Sequence, residues 1–515
     1  MMTSDLAAKL LQHNDSRQRW LQSLLVLAIF GVTAILAVLN GSFYDDEIFT
    51  IQQVTANGVL SLIHIMNSTD VHPPGAYVIN RFLFDVLGGR WDLLKMADGL
   101  INGLGLASFY WIAWPKLAPR VRLYLLCLLA TATTLVLWGT SVRWYAYYNP
   151  LFMVTLAVLL FSDMSRNARA MALCGAGVLL FHINYVAFCS VPVLLAAHLT
   201  REWSTLRRSK HDLAFLLVAL CVAFALCVPQ LIIFLTVHLK SDIPEQGSAA
   251  SSLLQTATIL GLGSAVFPLA PLPLLTAAVI AVGGLYALMR PLQAYERIAL
   301  VALVTGLLLM TLSGLGARPR NAAYLLPLVW LLIASLLAKL PRVPQLVTAI
   351  IVACFQLLGL KNVIAHEGTS KGSYNTDFSA VLGQLEHWHA SCGGRFVVFT
   401  HDVVVSDMLR RAAMTQSSPF SSSKPNLVRL SRDDCYAVVK TYHEPFSRTG
   451  VDKLYRATEV RDAAKIASAD VSPDGNYRAK SWLRHEAFSP YYAHVDLYRV
   501  KGPVTLDSWE FPGWN

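Results

Sequence analysis

Apolar residues fill the first 360 positions in blocks of about 17–25, the length a helix needs to cross a bilayer. Such blocks begin near Leu21, Trp91, Val121, Tyr147, Ala170, Tyr185, Leu213, Pro271, Ile298, Ala322 and Gln345, which predicts eleven spans. The stretch from Pro74 to Leu87 is apolar too. Counting it as a span would reverse the loops that follow, so it is expected to be an amphipathic helix lying on the outer interface. Beyond Lys361 the pattern changes. Phe378 to Trp388 has helical spacing, Arg395 to Thr400 and Tyr436 to Thr441 read as buried strands, and Ala493 to Val500 alternates like a half-buried one. Ser417 to Pro425 reads as a loop. The expected fold is therefore a polytopic α-helical membrane domain over 1–360 followed by an extracytoplasmic α/β domain over 361–515.

Composition agrees with that division. The chain is 55% hydrophobic and 14% charged, with a mean hydropathy of +0.48, against about 25% charged in ordinary soluble domains. Its net charge of +10 divides into +8 before Lys361 (23 basic, 15 acidic) and +2 after it. Most of the early basic residues fall in alternate loops, as orientation in a membrane requires, so the basic excess does not point to nucleic acid. With Lys9, Arg17 and Arg19 placed inside the cell, seven basic residues remain on the outer face: Arg81, Arg90, Lys95, Arg143, Lys240, Arg318 and Arg320. Snorkelling or salt bridges account equally well for Arg81, Arg90 and Lys240. Arg143 and the Arg318/Arg320 pair, between closely spaced spans, favour an anionic ligand. The first apolar run lacks a small-residue cleavage site and reads as a retained anchor. Six of the eight cysteines lie in apolar runs. Cys392 and Cys435 lie in the tail, where they can pair if that domain faces an oxidising compartment.

Candidate chemistry is concentrated after the first span. Asp45, Asp46 and Glu47 stand together at a membrane surface, where carboxylates are costly to desolvate and useless for packing. His72-Pro73-Pro74 with Tyr77 follows about 25 residues later, and Arg143-Trp144-Tyr145 closes a later outer segment. With Arg320 through Tyr324 to Pro327, and with His182-Ile183-Asn184-Tyr185, these motifs resemble the C-type (GT-C) glycosyltransferase superfamily. The branch they are most similar to is that of protein O-mannosyltransferases and aminoarabinose–lipid A transferases. The resemblance covers about residues 20–360 in order and spacing.

That resemblance implies an inverting transferase in the bacterial inner membrane, its N-terminus cytoplasmic and its tail periplasmic. The donor would be a polyprenyl-phosphate sugar and the acceptor a hydroxyl of a glycan, lipid or protein. The residue types suit the reaction. A hydroxyl acceptor needs a carboxylate as general base, and a phosphate leaving group needs cationic donors. Asp46 matches the acidic position of the family motif; Asp45 is the alternative base, and Glu47 either orients the donor or caps a helix. As an N-cap for the segment at Ile48, Asp46 would have a purely structural use. His72, Tyr77, Lys95, Arg143, Tyr145, His182, Arg318, Arg320 and Tyr324 are the candidate substrate-binding residues. For His182 and Tyr185 a hydrogen-bonded place in the core is the stronger reading. The aromatic run Trp144, Tyr145, Tyr147 and Tyr148 reads most simply as an interfacial belt, although a sugar-stacking face would use the same residues. No cofactor is assigned. The three adjacent acids are compatible with a divalent cation but do not compel one, and no metal ligand is assigned. A transporter or flippase of lipid-linked sugars is the alternative; it would be expected to show internal repeats, and none is seen.

Overall fold

The computed structural model describes residues 2–39, 45–69, 72–237, 289–313, 319–365, 379–400, 428–442, 462–471 and 492–506, with a few isolated positions between them. The side chains of Asp45 and Asp46 lie outside the described residues, as do Lys240, Arg318 and most of the span expected from Pro271. The chain divides into two compact units. One comprises Met1–Asn40 with Thr50–Ala365, the other Gly41–Phe49 with His366–Asn515.

The first unit is helical. Its elements are α1 (Met2–Leu39), α2 (Asp45–Ala56, which begins in the second unit), α3 (Val59–Thr69), α4 (Gly75–Val86), α5 (Trp91–Ala113), α6 (Pro119–Ala130), α7 (Thr133–Gly139) and α8 (Tyr145–Phe161). Then come α9 (Arg166–Ile183), α10 (Ala187–Leu206), α11 (Lys210–Thr236), α12 (Ala294–Leu312), α13 (Leu326–Lys339) and α14 (Arg342–Ala365). Local chemistry sets the starts. Ser165 and Ser209 accept from the backbone N–H groups of Ala168 and Asp212, capping α9 and α11. Gln293 and Glu296 form a capping box on α12, and Pro119 occupies the first turn of α6.

Among the described residues, six segments are long and apolar enough to cross a membrane: Asp15–Leu39, Pro119–Gly139, Lys210–Thr236, Ala294–Leu312, Arg320–Lys339 and Arg342–Lys361. The protein is thus an integral membrane protein by its helices. The run expected from Val121 as one span is broken at Thr131 and Ala132 into α6 and α7. Helix α5, expected as a span, is 23 residues long and carries Lys95, Asp98 and Asn102, all buried. Polar residues on a long helix survive when neighbouring helices cover them, and α1 and α8 pack on α5. The α5–α8 approach is close: a Cβ at Gly105 would sit 2.5 Å from the Pro150 ring, so a larger residue there would push the two helices apart.

The second unit contains α15 (Ser379–Ser391) and strands β1 (Phe396–Thr400), β2 (Gln416–Ser417), β3 (Val428–Leu430), β4 (Cys435–Tyr442), β5 (Ala463–Val471), β6 (Tyr492–Val500) and β7 (Val504–Leu506). The main sheet has the order β2-β1-β4-β6-β5; β1 is parallel to β2 and β4, and the other pairs are antiparallel. Val398, Ala437, Val439, Val495 and Leu497 pack with Val381, Leu385 and Trp388 of α15 on one face. Val397, Phe399, Tyr436, Val438 and Tyr498 pack with the β3–β7 pair on the other. Cys392 and Cys435 form a disulfide that ties the end of α15 to β4.

Candidate active site

Helix α4 supplies one wall of a small pocket. Ala76, Tyr77 and Asn80 are three or four residues apart or adjacent, so they share one helix face, and all three are buried. Arg81, the next residue along, pairs with Asp85 at 3.0 Å and donates to the Val54 carbonyl at 2.8 Å. Arg90 likewise pairs with Asp92. Both cations therefore serve local structure.

The rest of the pocket comes from Thr50 of α2, His72 from the loop before α4, and Arg143 and Trp144 from the turn between α7 and α8. Arg143 is 6% exposed. Its Nη1 donates to the Thr50 hydroxyl at 3.1 Å and the Tyr77 hydroxyl at 3.4 Å. These two hydroxyls orient the guanidinium on the pocket wall.

His72 is oriented from the end of α9. Asn184 accepts the Val186 N–H on its Oδ1 at 2.8 Å, so its Nδ2 is the atom that faces His72 Nδ1, at 3.1 Å. Nδ1 therefore accepts, and the proton of the neutral ring sits on Nε2. The loop lies tight on this helix end: a Cβ at Gly75 would be 2.3 Å from the His182 carbonyl oxygen. His-Pro-Pro-Gly is thus both the entry to α4 and its seat on α9.

Behind the pocket the network continues into α5. The Tyr147 hydroxyl lies 2.5 Å from Asn80 Oδ1 and 2.9 Å from Asp98 Oδ1. Asp98 is fully buried, and Lys95 stands three residues earlier on the same helix face.

The pocket thus brings together His72, Tyr77 and Arg143 from the sequence motifs. Glu47 is buried in α2. Tyr145 is buried one ring behind the pocket, 3.9 Å from Trp144 and 5.6 Å from Trp138. Arg320 is half-buried, its guanidinium 6.0 Å from the Trp138 ring. Tyr324 is buried against Phe152 and Tyr148. His182 does not line the pocket; its Nδ1 donates to the Val178 carbonyl of its own helix. Tyr185 accepts from Gln230 at 2.7 Å. The expected interfacial belt is replaced by packing: Trp144, Tyr145, Tyr147 and Tyr148 are all under 10% exposed, because the turn at Arg143 folds them inward. Among the described residues no group of three metal-ligating side chains converges.

Asn80 and Asp98 are functional candidates that lie outside the motifs, whereas Tyr147 and Asn184 lie in the aromatic run and the His182–Tyr185 motif without having been singled out there. The signal for Asn80 was its i,i+3 spacing from Tyr77. For Asp98 it was a carboxylate inside an apolar run, three residues from a lysine.

No protein-family model and no curated protein matches the chain. Solved structures do. The chain is similar to ArnT from Cupriavidus metallidurans in the apo state, with a TM-score of 0.52, 12% identity, and coverage of 94% of this chain and 98% of that one. The same protein bound to undecaprenyl phosphate matches with a TM-score of 0.52 and 12% identity over 93% and 97%. ArnT is an aminoarabinose–lipid A transferase of the GT-C class. At this identity the likeness is one of fold; it agrees with the membrane fold class that the motifs implied, while against eleven expected spans six are found among the described residues.

Proposed function

We propose that this protein is a membrane glycosyltransferase that moves a sugar from a polyprenyl-phosphate carrier to a hydroxyl of an extracytoplasmic acceptor. The observation that carries the reading is Arg143: a buried cation on a pocket wall, oriented by two hydroxyls, within a membrane fold shared with ArnT. An ionisable side chain buried within a membrane-spanning unit and lining a pocket is a functional-site candidate, and a lipid phosphate is a ligand suited to a guanidinium. One of the ArnT structures holds undecaprenyl phosphate, a lipid with that chemistry.

In the proposed reaction the acceptor oxygen attacks the anomeric carbon as the bond from that carbon to the phosphate oxygen breaks. The hydroxyl proton passes to a carboxylate, and the electron pair leaves with the lipid phosphate. A single displacement of this kind inverts the anomeric centre. Asp46 is the proposed base. It is the acidic position that matches the family motif, in the stretch Asp45-Asp46-Glu47. Arg143 would meet the charge developing on the phosphate, where such a donor contributes about 10²–10³ in rate. His72, its Nε2–H fixed by Asn184, supplies a second, neutral donor. The tail disulfide and the basic bias of the inner loops support a periplasmic tail on an inner-membrane protein.

Binding of undecaprenyl phosphate to the purified protein tests the reading. Wild type should bind, and Arg143→Ala should bind at least about tenfold more weakly. Equal affinities would remove Arg143 from the phosphate site. Binding that is intact while every sugar-linked donor goes unhydrolysed and untransferred would favour a flippase.

A further inference from the structure

We infer that Asn80 recognises a hydroxyl of the donor sugar, and that Tyr147 and Asp98 are the positioning residues that hold its amide. The inference rests on the glycosyltransferase reading and deepens it. Its basis is a proton count. Tyr147 has one hydroxyl hydrogen, yet its oxygen lies within hydrogen-bond distance of Asn80 Oδ1 and Asp98 Oδ1. Two acceptors cannot share that hydrogen.

Two arrangements satisfy the count. With Asp98 ionised, Tyr147 donates to it, and the Asn80 amide turns so that Nδ2 donates to the Tyr147 oxygen. The Asn80 carbonyl is then left over. With Asp98 protonated, the chain runs the other way: Asp98 donates to Tyr147, Tyr147 donates to Asn80 Oδ1, and Nδ2 is left over. In the geometry observed, Nδ2 is buried and without a hydrogen-bond partner, on a residue that is 0% exposed and lines the pocket. An unpartnered buried amide is costly unless a ligand meets it.

The ligand class follows. A phosphate oxygen can only accept, so it would suit one arrangement. A hydroxyl both donates and accepts, so it suits both. Placement agrees: Asn80 is one helical turn from Tyr77, which binds Arg143, and residues so spaced have Cβ atoms about 5–6 Å apart. That is the scale separating a phosphate from a hydroxyl on the sugar it carries.

The test compares the purified full-length protein's affinity for undecaprenyl phosphate alone with its affinity for a panel of undecaprenyl-phosphate-linked hexoses and aminopentoses. Wild type should prefer at least one sugar-bearing lipid. Asn80→Leu should erode that preference by about 2- to 10-fold, the worth of one hydrogen bond, and leave the bare lipid phosphate unaffected. Tyr147→Phe removes one oxygen while keeping the ring, so it remains informative if Asn80→Leu does not fold. It should erode the preference in the same direction by a smaller factor. Equal weakening of both lipids would make Asn80 a merely structural residue and overturn the assignment. Wild-type protein that binds the bare lipid with no preference for any sugar would overturn it too. If wild type binds neither lipid, the transferase reading itself falls, and the assignment with it.

Discussion

Two polar networks, one in each unit, are built to opposite ends. In the C-terminal sheet, Asp496 is 2% exposed and takes hydrogen bonds from Ser468 at 2.7 Å and His494 Nε2 at 3.0 Å, with Lys440 at 3.7 Å and Lys465 also paired to it. His494 in turn reaches Asp470 through Nδ1 at 2.7 Å. Anions and cations alternate across three strands and close on one another. In the helical unit, the chain from Asp98 through Tyr147 to Asn80 ends at a pocket, beside a guanidinium oriented by hydroxyls. A closed network stabilises its strands and offers nothing to a ligand. A network that stops at a cavity is incomplete until something occupies it.

Variants can separate the two. The largest effect is expected from removing the disulfide. With a sequence separation of 43 between its cysteines, it stabilises the fold by about 4 kcal/mol through its constraint on the unfolded chain. Replacing Cys392 and Cys435 by serine should lower the unfolding temperature of the C-terminal unit, read by calorimetry, while undecaprenyl phosphate affinity stays essentially unchanged. A large loss of affinity would break the proposed separation. Arg143→Ala should do the reverse: about 10²–10³-fold less transfer with the thermal transition of the sheet unit unmoved. Arg143→Lys, which restores charge but not the fork, should recover only part of the loss.

The smallest effect is expected from acid. Burial pushes the Asp496 carboxyl up, but hydrogen bonds from Lys465 and Ser468, and the charges of His494 and Lys465, outweigh it and leave the group below its ordinary range. A carboxylate depressed on folding adds stability in full above its unfolded value, near about 3.9, and loses it as pH falls through the lower folded one. The sheet unit should therefore lose stability below about pH 4, and Asp496→Asn should flatten that fall. An identical acid profile in the variant would mean that another group dominates.

The contrast also explains what could be read from the chain. Apolar runs marked the helices because burial in lipid demands them, and alternation marked β6 while continuous apolar runs marked β1 and β4. His72, Tyr77 and Arg143 were visible because each sits in a short motif of unusual composition. Asn80 and Asp98 were not, since each is a single polar residue in an otherwise apolar stretch of helix. With Tyr147 they acquire their meaning only across α4, α5 and α8. The aromatic run after Arg143 misled for a related reason: composition cannot distinguish rings facing lipid headgroups from rings folded inward by the turn that precedes them. The pairing of Cys392 with Cys435 needed the α15–β4 geometry, which sequence separation does not specify.

At the centre of the proposal, Asp46 is the base in sugar transfer from a lipid phosphate. The most direct test is release of free undecaprenyl phosphate from sugar-linked donors, with and without a crude envelope extract as acceptor, for wild type beside Asp46→Asn. Wild type should show extract-stimulated release, and the variant should lose it by about 10²–10⁴-fold while still binding undecaprenyl phosphate. Undiminished release by Asp46→Asn would contradict the assignment of the base.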